Sequence, residues 1–187
     1  MRKLVQDLEA FVAVDHLPPA ERLVEANVPV QVATNSLAEE IRRCGATLVV
    51  DALPAVAADE VSLVEIFTQL VDNAIRYRSA ERKPLIHVAA RREDGFAVFS
   101  VRDNGQGIDE RQLPRVFEVF HRLPGLDGRT GTGTGIGLAL VRRMVERLGG
   151  RVWVESQAGQ GSTFSFALPL TVPAVLEQPL DQEARAA

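Results

Sequence analysis

Leu85-Ile86-His87-Val88-Ala89-Ala90-Arg91-Arg92 and Phe96-Ala97-Val98-Phe99-Ser100-Val101-Arg102, joined by Glu93-Asp94-Gly95, decide the architecture. Alternation shows in Ile86-His87-Val88 and in Phe99-Ser100-Val101-Arg102, and Asp-Gly between alternating strands marks a hairpin. A second hairpin is predicted from Val152 to Glu155 and Thr163 to Leu168, around Ala158-Gly159-Gln160-Gly161. Hairpins mixed with helices argue against strict β-α-β winding. The expected fold is therefore α+β: a two-layer α/β sandwich, one mixed sheet with its helices packed on one face.

Working upstream from the first hairpin, Asp59 or Ser62 caps a helix that runs to about Tyr77. Leu63, Phe67, Leu70, Val71 and Ala74 form its apolar face, while Glu65, Gln69, Asn73 and Arg76 align as one polar stripe. Earlier still, Leu4, Val5, Leu8, Phe11 and Val12 recur at helical spacing until Asp15-His16-Leu17-Pro18-Pro19 stops them. An extended piece is expected at Val28 to Val32, then a helix over Leu37 to Cys44 capped by Ser36, then a strand from Thr47 to Asp51 ended by Leu53-Pro54. Downstream, residues 111 to 133 read as a long polar loop with a short helix around Leu113 to Phe120. Thr134 or Gly135 begins a third helix, with apolar positions Leu138, Val141, Met144, Val145 and Leu148, which Gly149-Gly150 ends. The chain divides into a helix at 1–14, a linker at 15–29, a globular domain at 30–169 and a disordered tail at 170–187.

Composition narrows the function. An apolar share of 46% supplies a core for 187 residues, and a net charge of −4 argues against a nucleic-acid surface. The single cysteine, Cys44, excludes an intrachain disulfide and a cysteine-rich zinc site. No apolar run reaches the roughly 20 residues of a membrane span, and the N-terminus has no signal-peptide stretch, so the expected location is cytoplasmic without direct membrane insertion.

Three segments carry chemistry. Asp103-Asn104-Gly105-Gln106-Gly107-Ile108 ends a strand: the glycines let backbone approach a flat ligand, and the carboxylate can accept from an exocyclic amine such as that of adenine. A plain Asp-Asn-Gly turn would read the same way. Gly131-Thr132-Gly133-Thr134-Gly135-Ile136-Gly137-Leu138 runs into a helix whose free N–H groups and dipole suit phosphate. It lacks the Lys-Ser/Thr ending of a P-loop, and a flexible loop is the alternative. On the polar stripe, the Asn73 amide can ligate Mg²⁺ and the Arg76 guanidinium can pair with phosphate, although a solvated helix face has the same pattern.

In this order the segments resemble the catalytic ATP-binding domain of sensor histidine kinases, within the wider group that includes gyrase and mismatch-repair ATPases. Residues 69–77 (Gln-Leu-Val-Asp-Asn-Ala-Ile-Arg-Tyr) resemble the N box, 103–108 and 133–138 the two glycine boxes, and 116–123 (Val-Phe-Glu-Val-Phe-His-Arg-Leu) the F box. The run Val-Glu-Arg-Leu-Gly-Gly-Arg-Val-Trp-Val-Glu-Ser at 145–156 is similar to phytochrome-like sensor kinases, and the likeness spans roughly residues 30 to 169.

The resemblance implies ATP and Mg²⁺ as ligands. Asn73 would hold the metal, Arg76 and Arg122 would contact phosphate, and Asp103 would read the adenine amine with Thr163 helping through a water. Gly105, Gly107 and Ile108 would shape the adenine pocket; Gly133, Thr134, Gly135, Gly137 and Leu138 would hold phosphates beneath a lid at about 118–134, anchored by Phe117 and Phe120. It implies a histidine-containing dimerisation domain, upstream or in trans, and a response regulator as partners. Residues 1–14 would then be the end of a dimerisation helix, and the chain compatible with a homodimer.

Two features depart from the family pattern. Gln69 stands where histidine kinases usually have Asn and hydrolytic relatives have Glu, and an amide cannot take a proton from water, which disfavours hydrolysis. None of His16, His87 and His121 sits on a helix before an acidic residue as an acceptor histidine does, and all three read as structural or surface residues. The expected function is transfer of the ATP γ-phosphoryl to a histidine outside this chain. A catalytically weak nucleotide-binding regulatory module and a serine kinase of the same fold are the alternatives.

Overall fold

The computed structural model describes residues 2–17, 20–122 and 133–172. A central sheet has the strand order β2-β4-β5-β7-β6, formed by β2 (Thr47–Val50), β4 (Leu85–Glu93), β5 (Phe96–Asp103), β7 (Gly161–Pro169) and β6 (Arg151–Gln157). The β2–β4 pair is parallel and the other three are antiparallel, so the sheet is mixed. Glu93 pairs with Phe96, which closes the first hairpin through Asp94-Gly95 as its sequence requires.

Both hairpins place alternate residues on one face. Ile86 and Val88, Ala97, Phe99 and Val101, and Phe164, Phe166 and Leu168 are buried beneath the helices. The central helix, α4 (Glu60–Arg76), meets them through Phe67. Its ring lies edge-on to Phe99 at 5.9 Å and to Phe166 at 5.6 Å, while Phe99 and Phe166 stack at 4.9 Å. These separations are in the range where aromatic pairs add to the gain from burial alone. On either side of α4 pack α2 (Asn27–Ser36) and α5 (Gly137–Arg147). α5 closes with Gly149 in the left-handed region (φ 75°), where its N–H meets the Glu146 carbonyl and that of Gly150 meets Val145.

Several segments differ from the sequence expectation. Val28 to Val32 lies in α2, because Val30 and Ala33 fall on one helical face that is buried against α4. Ser36 belongs to that helix and donates back to the Ala33 carbonyl at 2.7 Å, so it does not cap α3 (Ala38–Cys44). Residues 15–29 are not a linker. They contain β1 (Leu23–Glu25), which pairs with β3 (Ala55–Ala57) as a second small sheet, and Val24 and Ala26 are buried. The predicted helix around Leu113 to Phe120 is instead a 3-10 helix at Glu110–Arg115 followed by turns. The third helix begins at Gly137 rather than at Thr134 or Gly135. Leu170 packs against the core, whereas 173–187, and so most of the predicted tail, lie outside the described residues.

The N-terminal helix, α1 (Arg2–Ala13), lies against α5. Arg143 of α5 covers the Phe11 ring at 4.6 Å and forms an ion pair with Asp15, just beyond the helix. Leu4, Val5, Leu8 and Val12 face solvent. Among the described residues no helix is long and apolar enough to cross a membrane.

Asp59 joins two elements: its carboxylate caps α4 by accepting from the Ser62 amide at 2.7 Å and pairs with Arg147 of α5, both side chains being mostly buried. Asp59→Ala should therefore destabilise the domain by about 2–5 kcal/mol, because the cap is lost and Arg147 loses this ion pair while keeping its neutral acceptors on Leu17 and Ser62. Urea unfolding should show this loss with an unchanged m-value, and Asp59→Asn, which keeps the cap oxygen, should lose less.

Candidate nucleotide-binding site

The residues singled out from the sequence converge on one cleft between α4, the end of β5 and the start of α5. It encloses about 830 Å³ of empty space, part of it open to solvent. Asn73, Arg76, Asp103, Gly107, Ile108, Gly133, Thr134, Gly135, Gly137 and Leu138 line it. Gln69, Asp72, Tyr77, Val116, His121, Ser162 and Phe164 complete the wall.

At one end, Asp103 closes β5. Its Oδ1 accepts from the Gly105 amide at 2.7 Å and from the Ser162 amide at 3.3 Å. Burial raises the Asp103 pKa above the usual carboxylate value, against the lowering effect of those two N–H groups. Such a carboxylate is costly to ionise and ready to accept a ligand's donor. Gly105 is set behind it, where a side chain would strike the Tyr77 carbonyl. Gly107 has φ 67°, and a Cβ there would overlap the Gln157 carbonyl, so the loop can pass β6 only as glycine.

Strand parity corrects one assignment. Thr163 pairs with Arg102 and Glu155 on the face away from the helices, while its neighbours Ser162 and Phe164 face the cleft. Ser162 thus stands where Thr163 was expected. Its hydroxyl is 2.9 Å from that of Ser156, which accepts from the Ile108 amide at 2.8 Å and ties the glycine turn to the second hairpin.

At the other end, the polar stripe of α4 faces the N-terminus of α5. Arg76 is braced by Asp72 at 2.6 Å, and its Nη1 lies 3.6 Å from where a Gly133 Cβ would stand. Gln69 donates to Glu65 at 2.7 Å, which turns its amide oxygen toward Gly137; a Cβ on Gly137 would overlap that oxygen. Gly137 therefore makes room for a protein amide as well as opening the helix end. Asn73, one turn beyond Gln69, lines the cleft between them. An amide oxygen in a cleft that opens at a helix N-terminus suits Mg²⁺, which takes few protein ligands and completes its shell with other oxygens and water. The Thr134 hydroxyl donates to Asp7 of α1 at 2.6 Å, so the N-terminal helix touches the cleft directly.

The F-box residues separate. Phe117 packs edge-on against Phe164 at 6.3 Å, but the Phe120 side chain is 61% exposed. Phe120 acts through its backbone, which takes φ 62° and donates to the Gly135 carbonyl at 2.8 Å. Arg122 is exposed and outside the cleft wall, and the remainder of the expected lid, 123–132, lies outside the described residues. His121, expected to be a structural or surface residue, lines the cleft.

Residues 58–172 match the family of histidine kinase-, DNA gyrase B- and HSP90-like ATPases. The chain belongs to that family. It is 41% identical to cyanobacterial phytochrome A of Nostoc sp. over 170 residues, 91% of this chain and 22% of that protein. It is also 41% identical to the methanogenesis regulatory histidine kinase FilI of Methanothrix harundinacea over 116 residues, 62% of this chain and 13% of that one. The chain thus spans less than a quarter of these relatives. Among solved structures, full-length ShkA in complex with AMPPNP superposes with a TM-score of 0.76 at 27% identity, covering 92% of this chain and 36% of that one. The nucleotide-free catalytic domain of the histidine kinase ThkA shares the fold, with a TM-score of 0.67 at 24% identity, over 80% of this chain and 95% of that one. The two-layer architecture expected from the sequence is that of these kinase catalytic domains.

The raised pKa of Asp103 separates binding from stability. A group whose folded pKa lies above its unfolded value contributes stability below the unfolded pKa and loses it as pH rises through the folded one. Asp103→Asn should therefore leave the ligand-free domain at least as stable at neutral pH, and the gap from wild type should shrink on acidification. The same change should weaken binding of an adenine nucleotide by roughly 1.5–3 kcal/mol, the scale of a hydrogen bond to a charged group. Thermal melts with and without ATP, taken across pH, measure both.

Proposed function

We propose that this domain binds Mg²⁺-ATP and transfers the γ-phosphoryl group to a histidine outside the chain. The observation that carries this reading is the polarity of the cleft. A half-buried carboxylate, Asp103, stands at one end, while Asn73, Arg76 and the start of α5 stand at the other. That order suits a molecule with an amino-bearing base at one end and phosphates at the other.

On this reading Asp103 accepts from the adenine amine, Ser162 takes the supporting position first expected of Thr163, and Gly105, Gly107 and Ile108 shape the base pocket. Arg76 and the amides of residues 133–137 hold the phosphates, and Asn73 holds the metal. Bound Mg²⁺ would neutralise charge on the β- and γ-phosphates. In the transfer, the bond from the γ-phosphorus to its bridging oxygen breaks, a bond to an imidazole nitrogen forms, and ADP leaves. The reaction depends chiefly on alignment and charge neutralisation. Gln69, held by Glu65, offers water no base, which favours transfer over hydrolysis.

The partners follow from α1. Its exposed Leu4, Val5, Leu8 and Val12 repeat at helical spacing, which fits the end of a dimerisation helix that seeks another helix. The acceptor histidine then lies upstream or on a partner chain, and the phosphoryl group passes on to a response regulator. Supply of ATP sets the reaction in the cytoplasm. The kinases among the relatives favour this reading over a purely regulatory module.

Incubation of the chain with labelled ATP, Mg²⁺ and a separate histidine-bearing dimerisation domain should produce an acid-labile phosphate on that partner. Absence of label, despite ATP binding, would overturn the transfer. Asn73→Ala should weaken ATP binding roughly tenfold with Mg²⁺ present, the effect of losing one contact to a charged group. It should leave Mg²⁺-free binding and the melting temperature close to wild type, as titrations with and without EDTA would show.

A further inference from the structure

His121 sits at the phosphate end of the cleft with one ring nitrogen unaccounted for. The positive φ of Phe120 turns the chain at this point, and the Phe120 amide is fixed to the Gly135 carbonyl at 2.8 Å. The His121 amide in turn donates to the Glu118 carbonyl at 3.3 Å. Its carbonyl lies 3.0 Å from where a Gly135 Cβ would stand, so the two segments are in close contact. The backbone is thus held on both sides, and the imidazole belongs to the same wall as Asn73 and Arg76. Its Nε2 is buried and has no hydrogen-bond partner among the described residues.

A buried polar atom without a partner is uncommon in folded proteins and asks for an explanation, such as a ligand the atom is shaped to meet. The site itself indicates which part of a ligand. Asp103 and Ser162, the groups that suit a base, are tied to each other at the end of β5. The His121 carbonyl is instead packed against Gly135, just before the N-terminus of α5, and the Arg76 guanidinium, paired with Asp72, stands beside Gly133. An imidazole N–H in that wall would add a donor for an anion to those of the helix end and Arg76.

We propose that His121 is a nucleotide-contacting residue whose Nε2–H donates to a phosphate oxygen of the bound adenine nucleotide. The inference rests on the nucleotide reading above and adds to Arg76 a second side chain on the phosphates, contributed by the segment after the 3-10 helix.

The full chain, His121→Phe and His121→Gln are compared by calorimetric titration with ATP, ADP and adenosine in Mg²⁺. His121→Phe removes the donor and keeps a flat ring. It should weaken ATP and ADP roughly tenfold, as loss of one hydrogen bond to a charged group does, and leave adenosine unchanged. His121→Gln retains an N–H and should recover most of the loss. In wild type labelled with ¹⁵N-histidine, the Nε2 resonance of His121 should move on addition of ATP and not on addition of adenosine. Unchanged ATP affinity in His121→Phe, or an equal loss for ATP and adenosine, would overturn the proposal. Melting temperatures of the ligand-free variants check folding, and if His121→Phe fails to fold, the resonance shift and His121→Gln carry the test. A wild-type chain that binds no adenine nucleotide would bring down the nucleotide reading together with this one; normal wild-type binding with indifferent variants would bring down this one alone.

Discussion

One carboxylate holds the base end of this cleft together. Asp103 is the last residue of β5, and its Oδ1 gathers the Gly105 amide of the following turn and the Ser162 amide of the neighbouring strand. The end of β5, the turn that follows it and the distant strand β7 meet at one carboxylate oxygen. The arrangement has a cost, because burial raises the pKa and works against the charge. A residue chosen for stability alone would not be ionisable here. Its retention in a position that faces open space is intelligible if a ligand's donor completes the set.

The central helix serves two purposes that its sequence separates by angle. Phe67 and its neighbours enter the aromatic cluster with Phe99 and Phe166, so α4 cannot shift without opening the core. The opposite edge of the same rigid element carries Gln69, Asn73 and Arg76 into the cleft, Gln69 braced by Glu65 and Arg76 by Asp72. Groups meant to grip charge gain precision from a helix buried along its other face, since side chains on a packed element lose little further freedom when a ligand arrives.

The α5 end of the cleft is assembled from several separate segments. The Thr134 hydroxyl reaches Asp7 of α1, Arg143 of α5 reaches Phe11 and Asp15, and the Gly135 carbonyl is held by Phe120. The glycine turn that precedes α5 is thus in contact with the N-terminal helix on one side and the F-box segment on the other. α1 therefore touches the glycine turn directly, through the Thr134–Asp7 hydrogen bond.

Much was legible before any tertiary contact was known, wherever the cause is local. Asp-Gly sets the first hairpin, Asp59 caps α4, Gly149 ends α5, and the stripe of four polar residues follows from 3.6 residues per turn. What escaped reading depends on long-range placement. Val28 to Val32 has strand-like composition but is helical because Val30 and Ala33 bury against α4, and β1 exists because β3, some thirty residues later, supplies its partner. Ser162 rather than Thr163 faces the cleft because pairing with β5 sets which residues of β7 point inward. His121 enters the site only through the turn at Phe120, whose φ the glycine loop across from it imposes by hydrogen bonding. The sequence alone determined the elements whose cause is local and the chemistry they carry, because capping, turns and periodicity act over a few residues. Which side chains share the cleft was decided by packing, because strand register and helix placement are set by burial between segments far apart in the chain.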